Sequence, residues 1–135
     1  MRADQIPSTT RMEVSPALAA NETGVVLTGP AHAQARRPLV LHGMFRIPRA
    51  AADEIGDHLH RALVLVVTTK GGYHASNPLR HLTTFADDET SSEVARQGWF
   101  NLDAWATCPF EEPGTYFVTV SLGPYLSNTL EIQIA

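Results

Sequence analysis

Leu39, Leu41, Phe45 and Ile47 fall at alternate positions, with Gly43 among them, while Val40, His42, Met44 and Arg46 occupy the positions between. A period of two belongs to a strand with one face in a core. Residues 39–47 are therefore predicted as a strand, ended by Pro48. The same alternation runs through Tyr116, Val118, Val120 and Leu122, with Phe117, Thr119 and Ser121 on the other face. It returns in Leu130, Ile132 and Ile134 against Glu131 and Gln133. Residues 62–69 are β-branched and apolar at both phases, as in a strand with neighbours on both sides. Residues 99–102 make a further strand with Phe100 and Leu102 inward, and residues 24–28 make a shorter one closed by Gly29-Pro30. Short strands are also expected at 12–14 and at 81–85, the latter at a sheet edge.

The intervals carry turn chemistry. Gly71-Gly72, Glu112-Pro113-Gly114 and Gly123-Pro124 break the periodic runs, because glycine and proline favour backbone angles that strands do not use. Residues 49–61 read as a long loop with one helical turn, begun by Ala50-Ala51-Ala52-Asp53-Glu54 and stopped at Gly56. Residues 71–80 read as a second loop. Thr90-Ser91-Ser92-Glu93 has the spacing of a capping box and predicts a short helical turn. Residues 1–11 are polar and aperiodic, and are expected to form a flexible N-terminal tail. Seven to eight strands and no long helix then make residues 12–135 a single all-β domain, expected as a two-sheet antiparallel sandwich.

Composition supports a folded domain. Of 135 residues, 44% are hydrophobic and 18% charged, and a chain of this size buries roughly two-thirds of its unfolded surface without disulfide or metal. Cys108 is the single cysteine, which excludes an intrachain disulfide. Its apolar setting predicts a buried, inert thiol. Residues 1–67 carry seven arginines and six acids, whereas residues 68–135 carry Lys70, Arg80 and Arg96 against eight acids. No extended basic face is available to replace phosphate counterions, so nucleic acid is not an expected partner. The longest apolar run, residues 62–67, is far too short to cross a membrane. Charges also interrupt every candidate signal segment. The chain is read as cytoplasmic, without membrane association, and its Ala- and Arg-rich, Lys-poor usage fits a bacterial source.

Pro113-Gly114-Thr115-Tyr116-Phe117-Val118-Thr119-Val120, a turn, and then Ser127-Asn128-Thr129-Leu130-Glu131-Ile132-Gln133-Ile134 resemble the last two strands of immunoglobulin-like and fibronectin type III-like sandwiches. The resemblance implies that Tyr116 is structural and forms the tyrosine corner, its hydroxyl bonded to nearby backbone. It implies nothing about activity, because this fold hosts many functions.

Chemistry-bearing residues are few. His58-Leu59-His60 is a pair that would share one face if the segment were a strand, with His74 and His81 as the nearest further ligands. No metal and no cofactor are expected, and a small metal-binding protein or enzyme using His58 and His60 is the alternative reading. Asp87-Asp88-Glu89 and Glu111-Glu112 are charge clusters in turns. Tyr125 and Leu126 follow Gly123-Pro124 where alternation stops, so they are expected in an end loop beside residues 49–61. His58, His60, Tyr125 and Leu126 are accordingly the candidate binding residues. The expected function is a non-catalytic binding or assembly module that uses end loops or sheet edges to hold a protein partner or itself, most simply as a homodimer.

Overall fold

A computed structural model describes residues 7–15, 17–19, 21–82, 90–91, 94–107 and 110–135. The chain is an all-β sandwich of two sheets. The first sheet has the order β1-β3-β7-β6, built from β1 (Gly24–Thr28), β3 (Val40–Pro48), β7 (Ala95–Asp103) and β6 (Thr90–Ser91). The second has the order β2-β10-β8-β4-β5, built from β2 (His32–Ala33), β10 (Leu130–Ile134), β8 (Gly114–Leu122), β4 (Leu63–Thr69) and β5 (Gly72–Ser76). A two-residue strand β9 (Tyr125–Leu126) extends it by pairing with β8. Every pairing is antiparallel except that of β2 with β10. Two short helices, α1 (Arg49–Ile55) and α2 (Ala104–Thr107), lie outside the sheets.

The core is the sum of the inward phases. Leu41, Phe45 and Ile47 of β3 meet Phe100 and Leu102 of β7 on one side, and Leu63, Leu65, Val118, Val120 and Ile132 on the other, all essentially without solvent contact. Each such side chain contributes on the order of 1.5–3 kcal/mol of apolar burial. Two glycines decide how β3 and β7 fit. The register places Gly43 opposite Phe100 and Phe45 opposite Gly98. A methyl on Gly43 would overlap the Phe100 ring, and one on Gly98 would come within 2.8 Å of the Phe45 ring. Each phenylalanine thus lies over the bare backbone of the facing strand.

Polar side chains close the open ends of the sandwich. Arg96, buried at the start of β7, donates to the carbonyls of Gly56 and Asp57 and so fixes the turn after α1. The Asp103 carboxylate accepts from the Leu39 N–H at 3.0 Å and the Trp105 N–H at 3.1 Å, joining the start of β3 to α2. The Asn128 amide accepts from the Leu27 N–H at 2.8 Å and donates to the Leu27 carbonyl at 2.9 Å. One side chain thereby imitates a strand partner and ties β1 of the first sheet to the second. Near the opposite end the Tyr116 hydroxyl donates to the Glu112 carbonyl at 2.7 Å. The Tyr116 ring packs edge-on against Phe110, with centroids 4.8 Å apart.

Several local expectations need correction. Residues 8–11 are not a loose tail. Ser8 exchanges backbone hydrogen bonds with Asn101 at 3.2 and 2.9 Å, Thr9 is buried, and the Arg11 guanidinium lies 4.7 Å from the centre of the Trp99 ring. Residues 12–14 form no strand; Val14 packs on Met44 and Trp99 across the outer face of the first sheet. This strap is held by Asn101, whose Nδ2 donates to Ser8 Oγ at 2.9 Å and to the Thr10 carbonyl at 2.8 Å. His42 Nδ1 donates to Asn101 Oδ1 at 2.6 Å, so a fully buried amide is satisfied on both atoms. Arg46 grips the far end of the strap through the carbonyls of Ala19 and Glu22.

The loop expected at 71–80 contains β5. This strand is exposed at four of its five positions, so burial leaves no alternating pattern in its sequence. Thr90–Ser91 pair with Gln97 and Arg96 as a strand rather than capping a helix, while Ser92 and Glu93 lie outside the described residues. His81 sits in a turn and Leu82 is not in a strand, with 83–85 outside the described residues, as are Cys108 and Asp87-Asp88-Glu89. Among the described residues, no helix is long and apolar enough to cross a membrane.

Two substitutions test this architecture. Gly43→Ala is expected to lower stability by about 1–3 kcal/mol through overpacking, and Phe100→Leu in the same chain to recover part of that loss. Urea midpoints of the two single variants and the double variant measure the coupling, and strict additivity would refute the interlock. Tyr116→Phe is expected to cost about 1 kcal/mol, because water reaches this half-buried bond. An unchanged midpoint would show that the hydroxyl contributes nothing.

Candidate binding surface

The four candidate residues separate into different environments. His58 precedes a 3₁₀ turn over Leu59–Ala62, and His60 lies within it. Successive residues of such a turn rotate by roughly 120°, so positions two apart do not share a face as they would in a strand. His58 is exposed, whereas His60 is fully buried. The His60 Nε2–H donates to the Trp99 carbonyl at 2.7 Å, and its ring meets Phe45 edge-on at 5.0 Å. The expectation that His60 presents its imidazole to a ligand is therefore corrected: it fills the core above Gly98. His74 lies on β5 and His81 in a turn beyond it. Among the described residues, no three His, Cys, Asp or Glu side chains are grouped closely enough to hold a metal ion.

Tyr125 and Leu126 do lie at the end occupied by α1. A methyl on Gly123 would come within 2.9 Å of Ile55 Cδ1, which places the β8–β9 turn against that helix. The two residues then diverge. Tyr125 pairs with Leu122 and packs on the core, while Leu126 pairs with Ser121 and is 70% exposed. The sequence suggested an irregular loop, but a strand ladder sets these opposite directions.

Strand register gathers a surface that the sequence reading did not identify. Among the described residues four large hydrophobic side chains are exposed: Tyr73 at 78%, Val94 at 79%, Phe117 at 42% and Leu126 at 70%. Tyr73, Phe117 and Leu126 all stand on the outer face of the second sheet. Tyr73 is opposite Thr68, Thr68 is opposite Phe117, and Leu126 is opposite Ser121 on the same phase of β8 as Phe117. Val64 and Val66 of β4 fill the middle of this face and are half-buried. A cleft of about 740 Å³ opens at one end, between Lys70, Glu112, Tyr116, Phe117 and Glu131. No family model matches this chain, and no curated protein matches it in sequence.

The two sheets differ in how their outer faces are finished. The first sheet has its apolar outward residues, Met44 and Trp99, covered by the chain's own strap, with a groove of about 570 Å³ remaining beside Arg11 and Arg46. The second exposes its aromatic residues to solvent. What this arrangement can do chemically is bury apolar area against another surface. The signal available in the sequence was Phe117, an aromatic residue on the polar phase of a clean alternation. Tyr73 gave less, because β5 itself was not recognised.

His60→Ala is expected to destabilise the protein by roughly 2–4 kcal/mol, from the cavity and the unpaired Trp99 carbonyl. His58→Ala is expected to stay within about 0.5 kcal/mol of the wild type. Denaturant midpoints measure both, and equal losses would place the two histidines in the same environment.

Proposed function

We propose that this chain is a non-catalytic binding or assembly module of immunoglobulin-like sandwich type that docks a protein on the outer face of its second sheet. The fold assignment is supported by strand order. Taking β1, β3, β6 and β7 as strands A, B, D and E, and β4, β8 and β10 as C, F and G, reproduces the ABED and CFG sheets of that architecture. The Tyr116 hydroxyl, bonded to backbone four residues upstream at the start of β8, supports the same reading.

The function rests on one observation, the exposure of Tyr73, Phe117 and Leu126 on the same outer face of the second sheet. Isolated exposed hydrophobics are ordinary, but aromatic residues grouped on a flat face are typical of interface centres. The β-ladders hold them in place, so docking requires little ordering of the surface.

A photo-crosslinking residue at position 117, expressed in the source cell, is expected to give a discrete higher-mass band that Tyr73→Glu abolishes. The same residue at exposed position 22 should give none. A band pattern at position 117 unaffected by Tyr73→Glu, Leu126→Lys or their combination would overturn the proposal.

A further inference from the structure

We infer that the partner of this face is a second copy of the same chain, docked sheet to sheet about a two-fold axis that lies between β4 and β8 and runs parallel to them. The inference rests on the proposed use of this face and adds the identity of what covers it.

The argument comes from one row of side chains across the second sheet. The registers place Tyr73, Thr68, Phe117 and Glu131 side by side, on β5, β4, β8 and β10 in turn. A two-fold axis parallel to the strands and midway along this row turns it end for end. Tyr73 of one copy then faces the partner's Glu131, and Thr68 faces the partner's Phe117. A phenol O–H donor meets a carboxylate acceptor at both ends, and a small β-branched residue meets an aromatic ring twice in the middle. Packed sheets stand roughly 10 Å apart, a gap that a tyrosine and a glutamate reaching towards each other can span. The neighbouring row holds Ala75, Val66 and Thr119, with Thr119 bonded to Thr129 at 2.8 Å. Reversed in the same way, it sets Val66 against the partner's Thr119.

Charge is compatible with the same occupant at this face. The chain carries a net charge of −4, so two copies repel unless they meet through a surface that holds little of it. Glu131 is the one charged side chain in these two rows, and the reversed row gives each copy of it a donor. The area is that of a small interface, in keeping with a dimer that forms at the upper concentrations. The four overlapping strands β10, β8, β4 and β5 hold five, nine, seven and five residues, and at about 3.3 Å per residue and 4.8 Å between strands they offer roughly 400 Å² per copy before side-chain relief is counted. A standard interface buries about 800 Å² per partner.

The test is light scattering coupled to gel filtration of the full chain between about 1 and 500 μM, with circular dichroism to confirm that each variant is folded. The wild type is expected to approach twice 14.7 kDa at the upper concentrations. Phe117→Lys and Glu131→Lys should each weaken dimerisation at least about tenfold. Tyr73→Lys, which sets an ammonium opposite the partner's Glu131, should preserve it. Tyr73→Glu combined with Glu131→Lys should restore what Glu131→Lys loses. A dimer that survives both Phe117→Lys and Glu131→Lys would overturn the inference and indicate another contact, such as pairing along the open edge of β5. A wild-type monomer at every concentration would also overturn it. If the crosslink at position 117 to another protein then persists, docking on this face stands and only the second copy fails; if that crosslink is lost as well, both fail.

Discussion

The exchange of ring for backbone between β3 and β7 is the contact on which the rest of the molecule is arranged. Phe100 lies over Gly43 and Phe45 lies over Gly98. The two rings therefore fill the first sheet's inner face without forcing the strands apart. Core packing tolerates little volume change, so glycine at these two positions is a steric requirement. The same contact seats His60, which rests above Gly98, against Phe45, and bonds the Trp99 carbonyl between Gly98 and Phe100. His60 lies in the turn that feeds β4. The crossing from the first sheet to the second is thus anchored to the centre of the first sheet by one imidazole. A histidine that reads in sequence as a ligand serves here as a fastening.

Polar groups complete what apolar packing leaves unspecified. Hydrophobic burial is not directional, and alone it would permit the two sheets to slide. Asn128 fixes their relation at one corner by bonding both backbone groups of Leu27, and Arg96 fixes another by holding the carbonyls of Gly56 and Asp57. Asn101 does the same for the strap, accepting from His42 while donating to Ser8 and Thr10. Such buried groups are costly when left unpaired. Their value lies in selecting one arrangement among the several that would bury the same apolar area.

The outer faces show why the two sheets have different prospects. Trp99 and Met44 are apolar residues on an outward phase, and Arg11, Val14 and Leu18 of the strap cover them. Tyr73, Phe117 and Leu126 stand on the corresponding face of the other sheet and, among the described residues, have no such cover. A two-layer sandwich needs only its inner faces buried. Apolar residues outside are therefore an addition to the folding requirement, covered internally on one sheet and left exposed on the other.

Sequence alone determined the fold class and most of the core. The alternation at 39–47, 116–122 and 130–134 places β3, β8 and β10 and names their buried side chains, because a half-buried strand records its environment every second residue. The apolar run at 62–69 likewise locates β4. Local pattern failed wherever tertiary context, not periodicity, set the outcome. β5 leaves no trace because four of its five residues are exposed. The polar residues 8–11 look loose until Asn101 and Trp99, distant in sequence, supply their partners. His58 and His60 separate because the segment turns as a 3₁₀ helix, and Tyr125 and Leu126 separate because β9 pairs with β8. The grouping of Tyr73, Phe117 and Leu126 depends on register between strands far apart in the chain, which only the folded sheet creates.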